Sequence, residues 1–355
     1  PTMFSRSVYV LLLMGMVHME NQIIHNGLQV KHTKVNKPLS TSENEPCPPA
    51  EVIAPCTCRF SRVDCSKVQD ENDLSRVFRG LNATYLHGLR IMNNKNVTFL
   101  EGDTFGDVYF DSIAITSCAL KSVDRETFMK SSETVTELLL SDNELDDTFP
   151  FGSLVEYTVL DVLIMHSNEI KSVPHLAIYS LKHLDLSWNQ ITSTPEDPFK
   201  HLPNLEEIRF LDCGIQDLPP NLFSSLPKLR IVYMSRNNFP QIKHNTFSIT
   251  SSQMELINLI VCGVEAIDID AFHGLSNMTI DISYNNIVTL DELVFRPLLN
   301  NDITLSLYGN DLNCGCDVAW FMADSQYQNL TNNAMCSTGE WLTDLDPSWF
   351  EDNCW

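Results

Sequence analysis

The residues of this 355-residue chain with the widest chemical options are its eleven cysteines, which fall into three groups. Cys47, Cys56, Cys58 and Cys65 form one group, Cys314, Cys316, Cys336 and Cys354 another, and Cys118, Cys213 and Cys262 lie singly between them. Four thiolates at close spacing suit tetrahedral zinc, and a lone thiolate beside a base suits nucleophilic attack. In an exported chain the same clusters close disulfides instead. Export is the reading favoured here, because Arg6 precedes an apolar run from Val8 to Val17 that is too short to span a bilayer and is followed by polar sequence from Glu20. Two bridges per cluster is then the economical assignment. Four cysteines permit three pairings, and spacing does not choose among them.

Other reactive constellations do not assemble. The ten histidines show no metal-ligand rhythm, and the chain has no Gly-x-Gly-x-x-Gly, phosphate loop, Gly-x-Ser-x-Gly or His-Glu-x-x-His. The acidic groups Asp142, Glu144, Asp146 and Asp147, and Asp344, Asp346, Glu351 and Asp352, lack the glycine-turned loop of a calcium site and read as a solvated face. No catalytic residue, metal or cofactor is therefore expected. Aspartate plus glutamate outnumber lysine plus arginine by 46 to 23, a potential that repels polyanions and argues against nucleic acid as a partner. Glycosylation is expected at Asn82, Asn96, Asn277 and Asn329, each of which opens an Asn-x-Ser/Thr triplet.

The scaffold that must carry these residues is repetitive. An apolar-x-apolar-x-x-Asn-x-apolar pattern recurs about every 24 residues, with its Asn or Cys at Asn94, Cys118, Asn143, Asn168, Asn189, Cys213, Asn237, Cys262, Asn285 and Asn310. That period lies within the leucine-rich-repeat range. Two apolar residues at period two turn one face of a short strand inward, and the Asn can bond backbone inside the turn that follows. Ordering one such rung costs roughly 36 kcal/mol at about 1.5 per residue, which only stacking on neighbours can offset. Cys118, Cys213 and Cys262 occupy the Asn position, so they read as buried substitutes rather than reactive thiols. A second apolar column, Phe105, Phe128, Phe199, Phe223, Phe247, Phe272 and Phe295, predicts a continuous spine. The rung between Asn168 and Asn189 is only 21 residues long and lacks that Phe, which predicts a local irregularity.

The expected fold is an α/β solenoid: a leucine-rich-repeat horseshoe of about ten rungs with a parallel β-sheet on its concave face, an irregular or short-helical convex side, and a disulfide-bonded cap at each end. The expected organisation is a signal peptide over 1–20, a flexible polar tail over 21–46, an N-terminal cap over 47–82, repeats over 83–312 and a C-terminal cap over 313–355. No later run is long enough to insert in a membrane, so the mature chain is expected to be secreted.

From Cys47 to the end the chain resembles extracellular leucine-rich-repeat proteins with cysteine-rich flanks. The segment Asn310-Asp-Leu-Asn-Cys314-Gly-Cys316-Asp-Val-Ala-Trp320 is similar to that family's C-terminal flank, with Asp311 where proline is usual. The resemblance implies pairing of Cys47 with Cys58, Cys56 with Cys65, Cys314 with Cys336, and Cys316 with Cys354. The stretch from Cys47 to Cys58, with Val63-Asp-Cys65-Ser and Phe105-Gly-Asp-Val108 downstream, resembles the arthropod proteins similar to the non-catalytic subunit of oplophorus-type luciferase. That likeness implies a partner or stabilising subunit of a secreted luciferin 2-monooxygenase whose oxidation is done by a separate small subunit.

A protein partner is expected on the concave face, where residues flanking the apolar pairs point outward. Those residues are Leu139, Ile164, His166, Asp185, Trp188, Arg209, Leu211, Tyr233, Arg236, Ile260, Tyr284 and Tyr308, a row rich in the types that dominate binding interfaces. Trp188, Tyr233 and Arg236 are its expected anchors. The alternatives are the ectodomain of an adhesion or immune receptor whose membrane anchor lies outside this sequence, and, less favoured, an enzyme.

Overall fold

The computed structural model describes residues 47–81 and 83–354, so the export signal expected over 1–20, the tail expected over 21–46 and the triplet at Asn82 lie outside the described residues. Each predicted rung contributes one strand, from Tyr85–Met92 to Thr304–Ser306, and neighbouring rungs pair parallel. Leu138, Leu163, Leu184, Ile208, Val232, Ile257, Ile280 and Leu305 lie in register across the sheet and are at most 1% exposed. Period two thus does what it predicts: one side of every strand feeds a shared core. Among the described residues the main sheet has thirteen strands, because both caps add to it. Thr57–Arg59 pairs antiparallel with Arg62–Asp64, which runs parallel to the first rung, and Thr331–Asn332 pairs parallel with the last.

Buried asparagines tie the rungs together. Asn237 donates from Nδ2 to the carbonyl oxygens of Met234 in its own rung and Phe210 in the preceding one, both at 2.7 Å. Its Oδ1 accepts from the backbone N–H groups of Cys213 and Ile215 at 3.1 and 3.0 Å. One side chain therefore satisfies two buried donors and two acceptors that the turn leaves unpaired. The cysteine rungs keep half of this. Cys213 Sγ donates to the Leu186 carbonyl at 3.3 Å, and its own carbonyl accepts from Ile191 N–H at 2.8 Å, taking the place of the missing amide oxygen.

The phenylalanine spine is not continuous, and here the expectation is corrected. Phe105 stacks on Phe128, and Phe199, Phe223, Phe247 and Phe272 form a second stack with centroids 5.2 to 6.2 Å apart. Between the two runs the core is filled by Leu154 and Leu176, and Phe149 and Phe151 pack edge to face on each other. The short rung lies in this gap. Its truncated convex loop leaves an open recess of about 440 Å³ bordered by His175, Leu176, Glu196, Asp197 and His201. Elsewhere the convex side carries 3-10 turns at Met129–Ser131 and Phe151–Glu156, the helix Glu292–Asn300 and short parallel strand pairs.

Each cap closes with two bridges, Cys47–Cys58 and Cys56–Cys65 at one end and Cys314–Cys336 and Cys316–Cys354 at the other, the pairing that the resemblance implies. Trp320 and Phe321 cover the last rung, with the Trp320 indole N–H on the Leu290 carbonyl at 3.1 Å. At the first rung Glu71, on the helix Glu71–Arg79, accepts from Thr98 N–H, Thr98 O–H and Phe99 N–H at 2.6, 2.8 and 3.0 Å. Partial burial opposes its charge, but these hydrogen bonds outweigh it and hold the carboxyl below its ordinary value. A lowered carboxyl stabilises the fold above its unfolded-state pKa and ceases to do so as pH falls through the folded value. Glu71→Gln should accordingly lower stability near neutral pH and flatten the loss seen below about pH 4.5. Urea titrations from pH 3 to 7 measure this, and parallel curves for both proteins would contradict it.

Candidate partner-binding face

Four columns of side chains cross the rungs on the side away from the core. The first stands one residue before the inner apolar pair (Glu137, Val162, His183, Glu207, Ile231), and the second lies within that pair (Leu139, Ile164, Asp185, Arg209, Tyr233). The third follows the pair and includes His166, Leu211, Ile260 and Tyr308. The fourth is set by the backbone: the residue before each Asn or Cys has positive φ in every rung, from Asn93 at 54° to Gly309 at 75°. A side chain in that left-handed conformation costs about 1–2 kcal/mol, tolerated because the turn is held by the buried Asn that follows.

This geometry divides the expected row. Trp188, Arg236 and Tyr284 belong to the fourth column, at the edge where strands end, and not on the strands themselves. Leu139, His166, Arg209, Tyr233 and Ile260 are half-buried, while Trp188 and Tyr308 are each 39% exposed. Ile164, Asp185 and Leu211 depart from expectation: each is only 7% exposed. Parallel strands about 4.8 Å apart press each outward side chain between two neighbours. Ile164 lies in register between Leu139 and Asp185, and the Leu211 N–H donates to Ser187 Oγ at 3.1 Å. Asp185 also turns back to accept Ser187 N–H at 2.9 Å. These three form the floor of the face rather than its contact surface.

The more exposed residues are tied together across rungs. The Arg236 guanidinium lies 5.3 Å from the Trp188 ring centroid and its Nε donates to Asp212 at 2.9 Å, joining three successive rungs of the fourth column. In the first and second columns, the Arg209 guanidinium lies 5.0 Å from the Tyr233 ring and its Nε donates to Glu207, whose carboxylate also faces His183 Nδ1 at 3.5 Å. Burial disfavours the Glu207 charge, yet His183 and Arg209 outweigh it and keep the carboxyl below its ordinary value. Burial raises the Tyr233 hydroxyl, which stays protonated. Side chains already fixed by cation–π and ionic contacts lose little freedom on binding, the property that suits aromatic and arginine anchors to interfaces. Sequence reading found Trp188, Arg209, Tyr233 and Arg236 but missed Asp212, Glu207 and His183. Their signal was recurrence at one repeat's spacing within a column, legible only once the columns are separated.

The three unpaired cysteines are buried, and burial pushes the Cys213 and Cys262 thiols up to about 12 and raises Cys118. Few of them are thiolates at neutral pH. Iodoacetamide at pH 8 should leave all three unmodified in the native protein and alkylate them after denaturation, as read by intact mass; rapid native labelling of Cys213 or Cys262 would contradict their placement. Asn96, Asn277 and Asn329 are exposed. Asp146 and Asp147 spend their carboxylates on nearby backbone and hydroxyl donors, and no three His, Cys, Asp or Glu side chains are grouped for a metal among the described residues. Nor is any helix among them long and apolar enough to cross a membrane.

The family model described as "Leucine rich repeat" matches residues 179–239, the rungs that carry Trp188, Arg209, Tyr233 and Arg236. Over 321 residues the chain is 33% identical to the Oplophorus-luciferin 2-monooxygenase non-catalytic subunit of Oplophorus gracilirostris, covering 87% of this chain and 88% of that one. It is 26% identical to the CD180 antigen of Homo sapiens over 44% of its length, spanning 27% of that receptor. Among solved structures it superposes with a TM-score of 0.61 at 20% identity on a chain of the octameric complex of Latrophilin 3, Unc5D and FLRT2, covering 84% of this chain and 98% of that one. A chain of the Toll–Spatzle complex superposes with a TM-score of 0.56 at 17% identity, over 74% of this chain and 38% of its own length. At these identities the structural matches establish the fold.

Proposed function

Because the chain belongs to the family of the Oplophorus-luciferin 2-monooxygenase non-catalytic subunit, we propose that it is a secreted, non-catalytic leucine-rich-repeat protein that grips and stabilises a protein partner on its concave face. The observation that carries this reading is the cross-rung pair of ladders, Trp188–Arg236–Asp212 and Tyr233–Arg209–Glu207–His183, whose side chains are fixed in place on that face by contacts with one another. Such a surface fits recognition, where anchors held before contact reduce the ordering cost. The relative's name pairs a non-catalytic subunit with a monooxygenase. By extension, the partner of this chain is a small secreted catalytic subunit. Four disulfides and the acceptor triplets at Asn82, Asn96, Asn277 and Asn329 support passage through an oxidising secretory route.

The test is affinity capture from the native secretion with wild-type chain and with a Trp188→Ala/Tyr233→Ala variant as baits, compared by mass spectrometry. A partner enriched by the first and lost by the second supports the reading. Equal recovery on both baits, or oxidation of a luciferin-type substrate by the isolated chain, would overturn it.

A further inference from the structure

The cross-rung ladders do not use the C-terminal end of the concave face. There Tyr308 packs edge to face on Tyr284 at 5.2 Å and lies near-parallel to Trp341 of the C-terminal cap, with centroids 6.4 Å apart and planes at 26°. Tyr308 and Trp341 are 39% and 37% exposed. The packing is built into the backbone: a Cβ on Gly309 would stand 2.7 Å from Tyr284 Cδ1, so only glycine lets the Tyr284 ring lie across that position. Asp281 lies in register with Ser306, two residues before Tyr308 in the neighbouring strand, and Glu340 adjoins Trp341 in sequence.

The electrostatic setting is lopsided. Over residues 251–355 one cation, Arg296, stands against sixteen carboxylates, whereas over 47–100 seven cations stand against five. The sheet order places these two segments at opposite ends of the solenoid. Arg296 is itself taken up by Glu292 and the face of Trp320. Half-exposed aromatic rings in a strongly negative field have one complementary ligand class. A ring face attracts an ammonium or guanidinium group through its quadrupole, and the surrounding carboxylates raise the local concentration of cations. A neutral apolar segment would gain nothing from the field, and an acidic one would be repelled.

Resting on the function proposed above, we infer that the Tyr308–Trp341 platform seats a lysine- or arginine-bearing segment of the partner, and that this contact sets which end of the solenoid the segment occupies. The partner would then span the face with its anchor region on the Trp188–Tyr233 ladders and a cationic segment at the C-terminal cap.

Calorimetry on the full chain at 0.15 M salt tests this with a defined ten-residue peptide of alternating lysine and serine, and with a matched peptide carrying norleucine for lysine. The lysine peptide should bind, the norleucine peptide should bind at least tenfold more weakly, and Tyr308→Ala/Trp341→Ala should lose at least tenfold in affinity with the net charge unchanged. Should the double variant melt early, Trp341→Leu alone serves, with Trp341→Phe expected to restore binding to within about threefold of wild type because a ring face remains. Unchanged affinity in the ring-deleted variants would reduce the effect to net charge and overturn the inference, as would equal binding of the norleucine peptide. Partner capture separates this failure from failure of the function itself. Loss of the partner on Trp188→Ala/Tyr233→Ala with no effect at Tyr308 and Trp341 leaves the binding face standing and removes only the cation site.

Discussion

Replacing Trp188 and Tyr233 together by alanine is expected to weaken the captured partner on the order of a thousandfold, since central aromatic anchors cost roughly 2 kcal/mol or more apiece when truncated. The two residues sit on different ladders, so their loss also releases Arg236 from one ring and Arg209 from the other. Each arginine keeps its carboxylate, Asp212 or Glu207, but loses the ring beneath it and regains rotamer freedom that binding must then remove. The fold should survive, because Trp188 is 39% exposed and Tyr233 only half-buried, and neither belongs to the core cluster. Surface plasmon resonance on the purified partner measures the affinity, and thermal melting measures the fold. If cooperative melting disappears in the double variant, the two rings are structural and the binding assignment falls.

The largest stability effect is expected from Asn237→Ala, with a cost of about 4 kcal/mol. The residue is 6% exposed and its amide satisfies four backbone groups in two rungs. An alanine leaves these buried groups without partners, at about 1–3 kcal/mol each where water cannot enter. Asn237→Cys should cost about half as much, because a thiol can donate to one of the two carbonyls as Cys213 and Cys262 do. Urea denaturation with the disulfides intact gives both numbers. A loss under about 1 kcal/mol for the alanine variant would mean that water or relaxed backbone replaces the amide, and the account of how rungs are tied together would need revision.

Most of the architecture was legible because it is periodic. An apolar pair at period two can be buried in one way only, and ten such pairs at nearly constant spacing leave a stacked sheet as the arrangement that hides them all. The positions of Asn94 through Asn310, the burial of Cys118, Cys213 and Cys262 in the same turn, and the need for closing modules follow from that one constraint. The binding face was legible as a set of residue types, Trp188, Arg209, Tyr233 and Arg236 among them, but not as a surface. Outward positions carry no periodic apolar requirement, so their exposure depends on the neighbours one rung to either side, which are about 24 residues away in sequence.

That distance is why only the tertiary structure decided which candidates stand free. Ile164, Asp185 and Leu211 face the correct side and are nevertheless covered. Trp188, Arg236 and Tyr284 reach the edge through a left-handed turn. Asp212, Glu207 and Trp341 enter the picture only through contacts with other rungs or the cap. The break in the phenylalanine spine has the same origin, since a local pattern states that a side chain is buried but not against what. What the amino-acid order determined by itself was the fold, through short-range alternation repeated many times; what required three dimensions was the recognition surface, because it is made of side chains that meet only after the rungs have stacked.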